Sequence, residues 1–375
     1  MKNDMSPDRT VQASLVTLFD SYQETGRVSS GLAEKLDALR RYLVNPHLEF
    51  QPFLSVIMRT QGKRLEPLKD ALLCLYSQTD SDFEVIIVDH GSSAFAARQV
   101  AEIIGSYPQS FRDKIRVIRV EGGTRGTPLN VGVQAAHGRF VAVYDDDDLI
   151  FAHWVESFHS AERAGVTRLM RANVAVQQAV PELWPQDQSG FRTLSWPKAD
   201  YAKSFNQVDH LIMNHSPFMS WAFPRSLFTE WGLVFDETLS VCEDWDMILR
   251  GSTLMGVDDV LHLTAIYRKW EGASSSYTEH DRASWLASEA RVIEKLNENP
   301  WVASPGVVED IRKYIAAESA LHPVINTMQV TINTMRDEYS DVVSSRSWKI
   351  TQPLRWLYPK LAGIKRRIRR LLRQR

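Results

Sequence analysis

The chain has 375 residues, 44% hydrophobic and 24% charged, with a formal net charge of −2, a composition ordinary for a globular protein with a sizeable core. Its two cysteines, Cys74 and Cys242, lie far apart without metal-ligand spacing, which argues against a disulfide framework and fits a reducing compartment. The opening "MKNDMSPDRT" has no apolar core of a secretory signal, and no run of about 18 apolar residues occurs, so neither a signal nor a membrane-spanning helix is expected.

Residues 1–50 read as a helical N-terminal extension: Leu32, Leu36, Leu39 and Leu43 keep helical spacing until Asn45–Pro46 breaks it. From residue 53 short apolar runs alternate with helical patterns. "FLSVIMRT" reads as a buried strand and "LEPLKDALLCLYSQ" as a helix with Pro67 early, where it is tolerated. "FEVIIVD" is a second strand followed by the turn "HGSS", "AFAARQVAEIIGSY" is helical, and "KIRVIRV" is a third strand. "TPLNVGVQAAHG" reads as a helix with Thr127 as N-cap, Pro128 at its first position and Gly138 as terminator. "RFVAVY" is a fourth strand and runs into Asp145, Asp146, Asp147 and Asp148. Residues 168–300 are less regular and aromatic-rich, with a helix opening near Glu243 and one or two strands in "VDDVLHLTAIYRKW". Strands alternating with helices predict an α/β fold with a mostly parallel, doubly wound sheet flanked by helices.

Residues 301–345 read as helix. Ile325, Met328, Ile332, Met335, Tyr339 and Val342 alternate spacings of three and four, which allows a short dimer-forming coil or packing back on the preceding domain. Residues 342–375 carry 11 Lys/Arg and no Asp/Glu, leaving 33 basic against 46 acidic residues in 1–341. Within 346–375, Leu361, Ile364, Ile368, Leu371 and Leu372 fall on one helical face of a basic amphipathic tail. Residues 354–375 fit an anionic membrane surface, and no nucleic-acid motif accompanies them.

In a parallel sheet, ligands bind beyond the carboxyl ends of the strands. Thr60 onward, Asp89–Ser92 and Asp145–Asp148 all sit there, so the topology predicts that they converge. "EGGTRGTPLN" has neither the spacing nor the setting of a dinucleotide fingerprint, and a Walker lysine motif is absent. Four successive carboxylates repel each other, and a hard cation such as Mg²⁺ or Mn²⁺ with a substrate phosphate would relieve that; a solvated acidic loop is the alternative. In "CEDWDMILR", Glu243 and Asp244 open a helix, where a carboxylate can cap the helix or serve as general base for a hydroxyl.

Taken in order, "LSVIMRT", "LLCLYSQTDSDFEVIIVDHGSS", "TRGTPLNVGVQAAHGRFVAVYDDDD" and "CEDWDMILR" resemble the motifs of family 2 glycosyltransferases of the GT-A fold, from about Phe53 to about Trp270. The resemblance implies a Rossmann-like GT-A domain over 51–300. It implies a nucleoside-diphosphate sugar as donor and a divalent metal, Mn²⁺ or Mg²⁺, as cofactor. It also assigns roles. Asp89 would meet the nucleotide base or ribose. Asp145 would lie by the ribose or donor sugar and, with Asp147, match the outer acids of the DXD motif. Asp147 would hold the metal, and Asp146 or Asp148 could take either part. Thr60 would line the donor site and Arg125 would approach the diphosphate. Asp244 would be the general base, with Glu243 as alternative. Two departures fall where the base would sit: His90 replaces the second acid of the family's Asp-Asp-Gly-Ser pattern, and Arg59-Thr60-Gln61-Gly62 replaces its Pro-Thr-Tyr-Asn opening.

The expected activity is inverting sugar transfer to a hydroxyl of a glycan or lipid-linked acceptor, in bacterial surface polysaccharide or lipopolysaccharide synthesis. The expected location is cytoplasmic, peripheral on the inner membrane face. A sugar-nucleotide nucleotidyltransferase and a non-catalytic sugar-binding or scaffold subunit are the alternatives. The aromatic Trp221, Trp231, Trp245 and Trp270 are candidates to stack on an acceptor, and His262 or His280 to complete a metal shell.

Overall fold

A computed structural model describes Glu34 and residues 51–184, 188–272, 280–298, 301–303 and 307–352. Apart from Glu34, the helical segment expected over 1–50 lies outside the described residues, as does the basic segment 354–375. The chain divides into two compact units, with the boundary between Val307 and Val308.

The first unit opens with β1 (Leu54–Thr60), α1 (Leu65–Tyr76), β2 (Phe83–His90), α2 (Ala94–Gly105), β3 (Ile115–Val120), α3 (Gly126–Ala135) and β4 (Phe140–Val143). It continues through β5 (Leu149–Ile150), α4 (Trp154–Arg163), β6 (Leu169–Trp184), β7 (Gln188–Thr193), α5 (Gln207–Ile212) and β8 (Trp221–Pro224). It closes with α6 (Glu243–Met255), β9 (Val257–Trp270) and α7 (Arg282–Asn297). The strand order is β3-β2-β1-β4-β8-β6-β9-β5, with β7 beside β6. The expected parallel pairing holds across β3-β2-β1-β4 and again between β6 and β9. Antiparallel β8 joins the two parts.

Period-two side-chain alternation explains why helices cover both faces. Leu54, Val56 and Met58 of β1, with Val85 and Ile87 of β2, face a core shared with Leu68 and Leu72 of α1 and Trp154 and Phe158 of α4. Ile57, Ile86, Val88, Val141 and Val143 face the opposite core, built with Leu129 of α3 and Met247 and Ile248 of α6. A strand apolar on both faces must be buried on both, which is how four short apolar runs dictate this layering.

Three local expectations are corrected. Thr127 is not an N-cap: α3 begins one residue earlier, and the Thr127 hydroxyl instead accepts from the Thr124 N–H (3.0 Å) and donates to Glu237 (2.7 Å). Gly138 does not end α3, which stops at Ala135; a Cβ at Gly138 would stand 2.5 Å from the Ser55 backbone nitrogen, so glycine is required there by the close approach of the chain to β1. The 16-residue β6 was not expected, and β9 is one strand that pairs with it in register except for irregularities around Asn173.

In the second unit, α8 (Val307–Ser344) is a 38-residue helix containing Pro323. The six residues of its predicted apolar stripe are all 50–67% exposed. No helix among the described residues is long and apolar enough to cross a membrane.

Candidate active site

The acid run is pinned at both ends. Before it, Tyr144 is fully buried and its N–H bonds to the Ile57 carbonyl (2.9 Å). After it, β5 pairs with Ala265 and Ile266 of β9. The loop therefore cannot swing its carboxylates into water: Asp146, Asp147 and Asp148 are buried, while Asp145 is partly exposed.

Their mutual repulsion is relieved by partners from elsewhere in the chain. Arg59, at the end of β1, donates Nε to Asp145 (2.9 Å). The Thr60 hydroxyl donates to Asp146 (2.6 Å). Arg64 donates Nη2 to Asp146 (3.3 Å) and Nη1 to Asp147. Asp148 turns away and accepts the Arg268 N–H of β9 (2.7 Å), so it fastens the loop to the sheet. The titration of each acid follows. Burial opposes ionisation of Asp145, but the Arg59 guanidinium outweighs it and holds that carboxyl below its usual range. Burial pushes Asp146 up to about 7, only partly offset by Arg64. Burial also raises Asp147, and it raises Asp148 strongly, the charge of Asp147 adding to it.

A second acidic element meets this loop from across the sheet. Cys242 has φ 67°, the only positive φ at a non-glycine among the described residues, and the strained turn delivers Glu243 and Asp244 to the first turn of α6. Helix N-termini favour carboxylates, yet the two are used differently. Glu243 is buried and its Oε1 accepts from Arg59 Nη1 (2.6 Å) and Arg125 Nε (2.9 Å). Burial alone would raise it, but Arg125 and Arg59 outweigh burial and bring it down to about 2. Asp244 makes no ion pair among the described residues, and Arg125 and Arg59 act on it only weakly, through their charge. It accepts from Asn214 Nδ2 (2.8 Å), and the Ser216 N–H bonds to the Asn214 side-chain oxygen (3.0 Å), fixing that amide's orientation. Burial, then the neighbouring charge of Glu243, raises Asp244 to about 6. Arg59 thus joins the two acidic elements, bridging Asp145 and Glu243.

These groups line one cavity of about 670 Å³, a size suited to a nucleotide-sized ligand. Of the residues singled out by sequence, Thr60, Arg125, Asp145, Asp146, Asp147, Glu243 and Asp244 meet on its wall. Asp89 lies beside it, at the end of β2, where it accepts from Arg119 (3.1 Å) and from the Ser92 N–H (3.1 Å). Trp245 and Trp270 line the cavity, whereas Trp221 is in the core. His280 lines it too, and His262 instead bonds Ser157 (3.1 Å). Asn214 was not singled out, and Arg59 was noted only as a departure from the family pattern. The sequence signal for Arg59 is a charge at the end of a wholly buried strand, which has to find partners.

The donor set fits a divalent cation of the Mg²⁺ or Mn²⁺ type. The hard carboxylate oxygens of Asp145 and Asp147 share one pinned loop, and Mg²⁺ is typically held by one or two carboxylates with substrate phosphates completing the shell. Among the described residues no three His, Cys, Asp or Glu side chains group as a metal site.

The chain is similar to known glycosyltransferases. The uncharacterised glycosyltransferase EpsJ of Bacillus subtilis is 25% identical over 198 residues, 52% of this chain and 54% of that protein. The succinoglycan biosynthesis protein ExoW of Rhizobium meliloti is 32% identical over 98 residues, 26% of this chain and 30% of its own. The chain spans between about a third and about half of the length of the first curated relatives it matches. Among solved structures, the mannosyltransferase PcManGT from Pyrobaculum calidifontis, in complex with GDP-Man and Mn²⁺, superposes with a TM-score of 0.50 at 14% identity, over 93% of this chain and 97% of that one. That likeness is one of fold, and the fold is the GT-A type. Residues 55–230 match the family model described as Glycosyl transferase family 2. The match starts at the second residue of β1 and takes in every strand end that builds the acid wall, and over this stretch the chain is similar to glycosyl transferase family 2.

Proposed function

We propose that the protein transfers a sugar, with inversion, from a nucleoside-diphosphate sugar to a hydroxyl of a glycan or lipid-linked acceptor in polysaccharide synthesis. The observation that carries this reading is the separation of two acidic functions within one cavity. The Asp145–Asp147 wall is matched with cations and suits a metal and diphosphate. Asp244 makes no ion pair among the described residues and is raised to about 6, so it is ionised at neutral pH and still basic enough to take a proton. The GDP-Man and Mn²⁺ of the structural neighbour and the succinoglycan role of one relative support the same reading.

In this mechanism an Asp244 oxygen accepts the proton of the acceptor hydroxyl as that oxygen attacks the anomeric carbon. The bond from the anomeric carbon to the diphosphate oxygen breaks on the opposite face, and its electron pair leaves with the nucleotide. Asn214 holds the Asp244 carboxylate in place through the turn at Ser216. Glu243 positions Arg59 and Arg125 toward the phosphate side rather than exchanging protons, because a carboxyl at about 2 is a poor base at neutral pH. Asp147, with Asp145, would hold Mn²⁺ or Mg²⁺, which when bound supplies Lewis-acid stabilisation of the departing diphosphate. Thr60 would line the phosphate side with Asp146, and Asp89 would lie toward the base or ribose.

The test is incubation with a panel of nucleoside-diphosphate sugars and Mn²⁺, following nucleotide release and the first-formed anomer by NMR. Inversion at the anomeric carbon is expected, and a product that retains the donor's configuration would sink the reading. The wider setting is part of the same proposal: cytoplasmic, peripheral on an anionic inner membrane face through residues 354–375, and homodimeric through the exposed stripe of α8.

A further inference from the structure

Arg64 does more than neutralise the acid loop. It immediately precedes α1, after a turn at Gly62 whose φ of +63° and contact with Ala96 suit only glycine. Its guanidinium takes one oxygen from Asp146 and one from Asp147, and it lies 5.9 Å over the ring of Trp270. The other cavity arginines are committed differently: Arg59 is shared between Asp145 and Glu243, Arg125 is held by Glu243, and Arg268 bonds Asp70 (2.8 Å). Arg59 and Arg64 stand on the two acids that the proposed function assigns to the metal, Asp145 and Asp147, but Arg59 is also tied to buried Glu243, whereas the Arg64 side chain is about one-third exposed.

We infer that Arg64 is a mobile counterion, which occupies Asp146 and Asp147 while the site is empty and passes to the donor's diphosphate when metal and donor enter together. The inference rests on the reading of this cavity as a metal-assisted donor site. Charge decides the direction. Arg64 with Asp146 and Asp147 carries one net negative charge when both acids are ionised. A divalent cation arriving alone would meet a guanidinium already bonded to the oxygens it needs. A diphosphate arriving with the cation supplies new oxygens for the guanidinium, whose planar fork matches them in two-pronged geometry, and frees the carboxylates for the metal. Metal and diphosphate then favour each other's binding, and by reciprocity each raises the other's affinity by the same factor. A salt bridge with a purely structural role would tie Arg64 to the acids throughout and contribute nothing to diphosphate affinity.

The experiment measures Mn²⁺ binding by electron paramagnetic resonance, and UDP and GDP binding in saturating Mn²⁺ by calorimetry, on wild type and Arg64→Gln. The variant is expected to bind Mn²⁺ alone at least about tenfold more tightly and the better of the two diphosphates at least about tenfold more weakly, changes within the ordinary range of coupling. Arg64→Lys keeps the charge but not the fork, so it is expected between the two in both titrations; it serves if the glutamine variant does not fold. Unchanged or weaker Mn²⁺ binding in the variants, or unchanged diphosphate affinity, overturns the counterion role and leaves the site reading standing. Failure of the wild type to bind Mn²⁺ with either diphosphate overturns both.

Discussion

Replacing Glu243 by glutamine keeps shape and removes one charge, and the structure gives the consequences in two observables. The first is stability. Glu243 is held at about 2 against an ordinary 4.5, so its ionised form favours the fold by about 3 kcal/mol at neutral pH, at 1.36 kcal/mol per unit. The same order follows from the cost, about 3–5 kcal/mol, of breaking a buried ion pair. Because the folded value is depressed, this contribution is fully present above 4.5 and is lost as pH falls toward about 2. Glu243→Gln should therefore unfold roughly 10 °C lower at neutral pH, at about 2–4 °C per kcal/mol for a domain of this size. The difference from wild type should shrink as pH falls below 4.5. The second observable is the acid limb of the turnover–pH profile. The charge of Glu243 is the second largest cause raising Asp244 to about 6, and its removal also leaves Arg59 and Arg125 less compensated. Both effects favour the ionised Asp244, so the limb should move to lower pH, by up to about one unit, since burial, the largest cause, remains. Calorimetric unfolding at pH 7 and pH 3 and nucleotide release from pH 4 to 9 measure the two. A limb that stays in place or moves upward refutes the electrostatic link between the paired acids.

Other consequences follow from packing. Gly138→Ala places a methyl 2.5 Å from the Ser55 nitrogen, where only backbone can yield, so unfolding should show a loss at the upper end of the overpacking range, about 3 kcal/mol. Ile332→Lys puts a charge into the middle of the exposed α8 stripe and should convert the proposed dimer to monomer in sedimentation equilibrium; a wild type that is monomeric, or a dimer that persists in the variant, would mean that this stripe is not a dimer contact.

The parallel half of the sheet was legible because β1, β2 and β4 are apolar on both faces, and a short run of that kind bounded by turn residues has few other fates. β6 was not, because Arg171, Asn173, Gln177 and Gln178 interrupt any simple period. Arg171 is buried only because Asp259, Ser216 and two loop carbonyls receive it, and none of these is nearby in sequence. Thr127 and Gly138 carried correct local propensities that tertiary contacts with Glu237 and Ser55 put to other use. In the site, the residue types and their order were readable, since an acid run after a strand and an acid pair at a helix start are local patterns. The arrangement of charge was not. Arg59 reaches across 86 and 184 residues to its two acids, and the difference between Glu243 and Asp244, adjacent in sequence, comes from which of them those arginines meet.

Asp244→Asn tests the account most directly, with donor binding and turnover measured on the same protein. The substitution is isosteric and lies away from the phosphate wall, so the account predicts nucleotide-sugar affinity within about twofold of wild type. Loss of a general base predicts a fall in turnover of about 10²–10⁴-fold. An Asp244→Asn enzyme that binds its donor and turns over at the wild-type rate would contradict the assignment of Asp244 as the base.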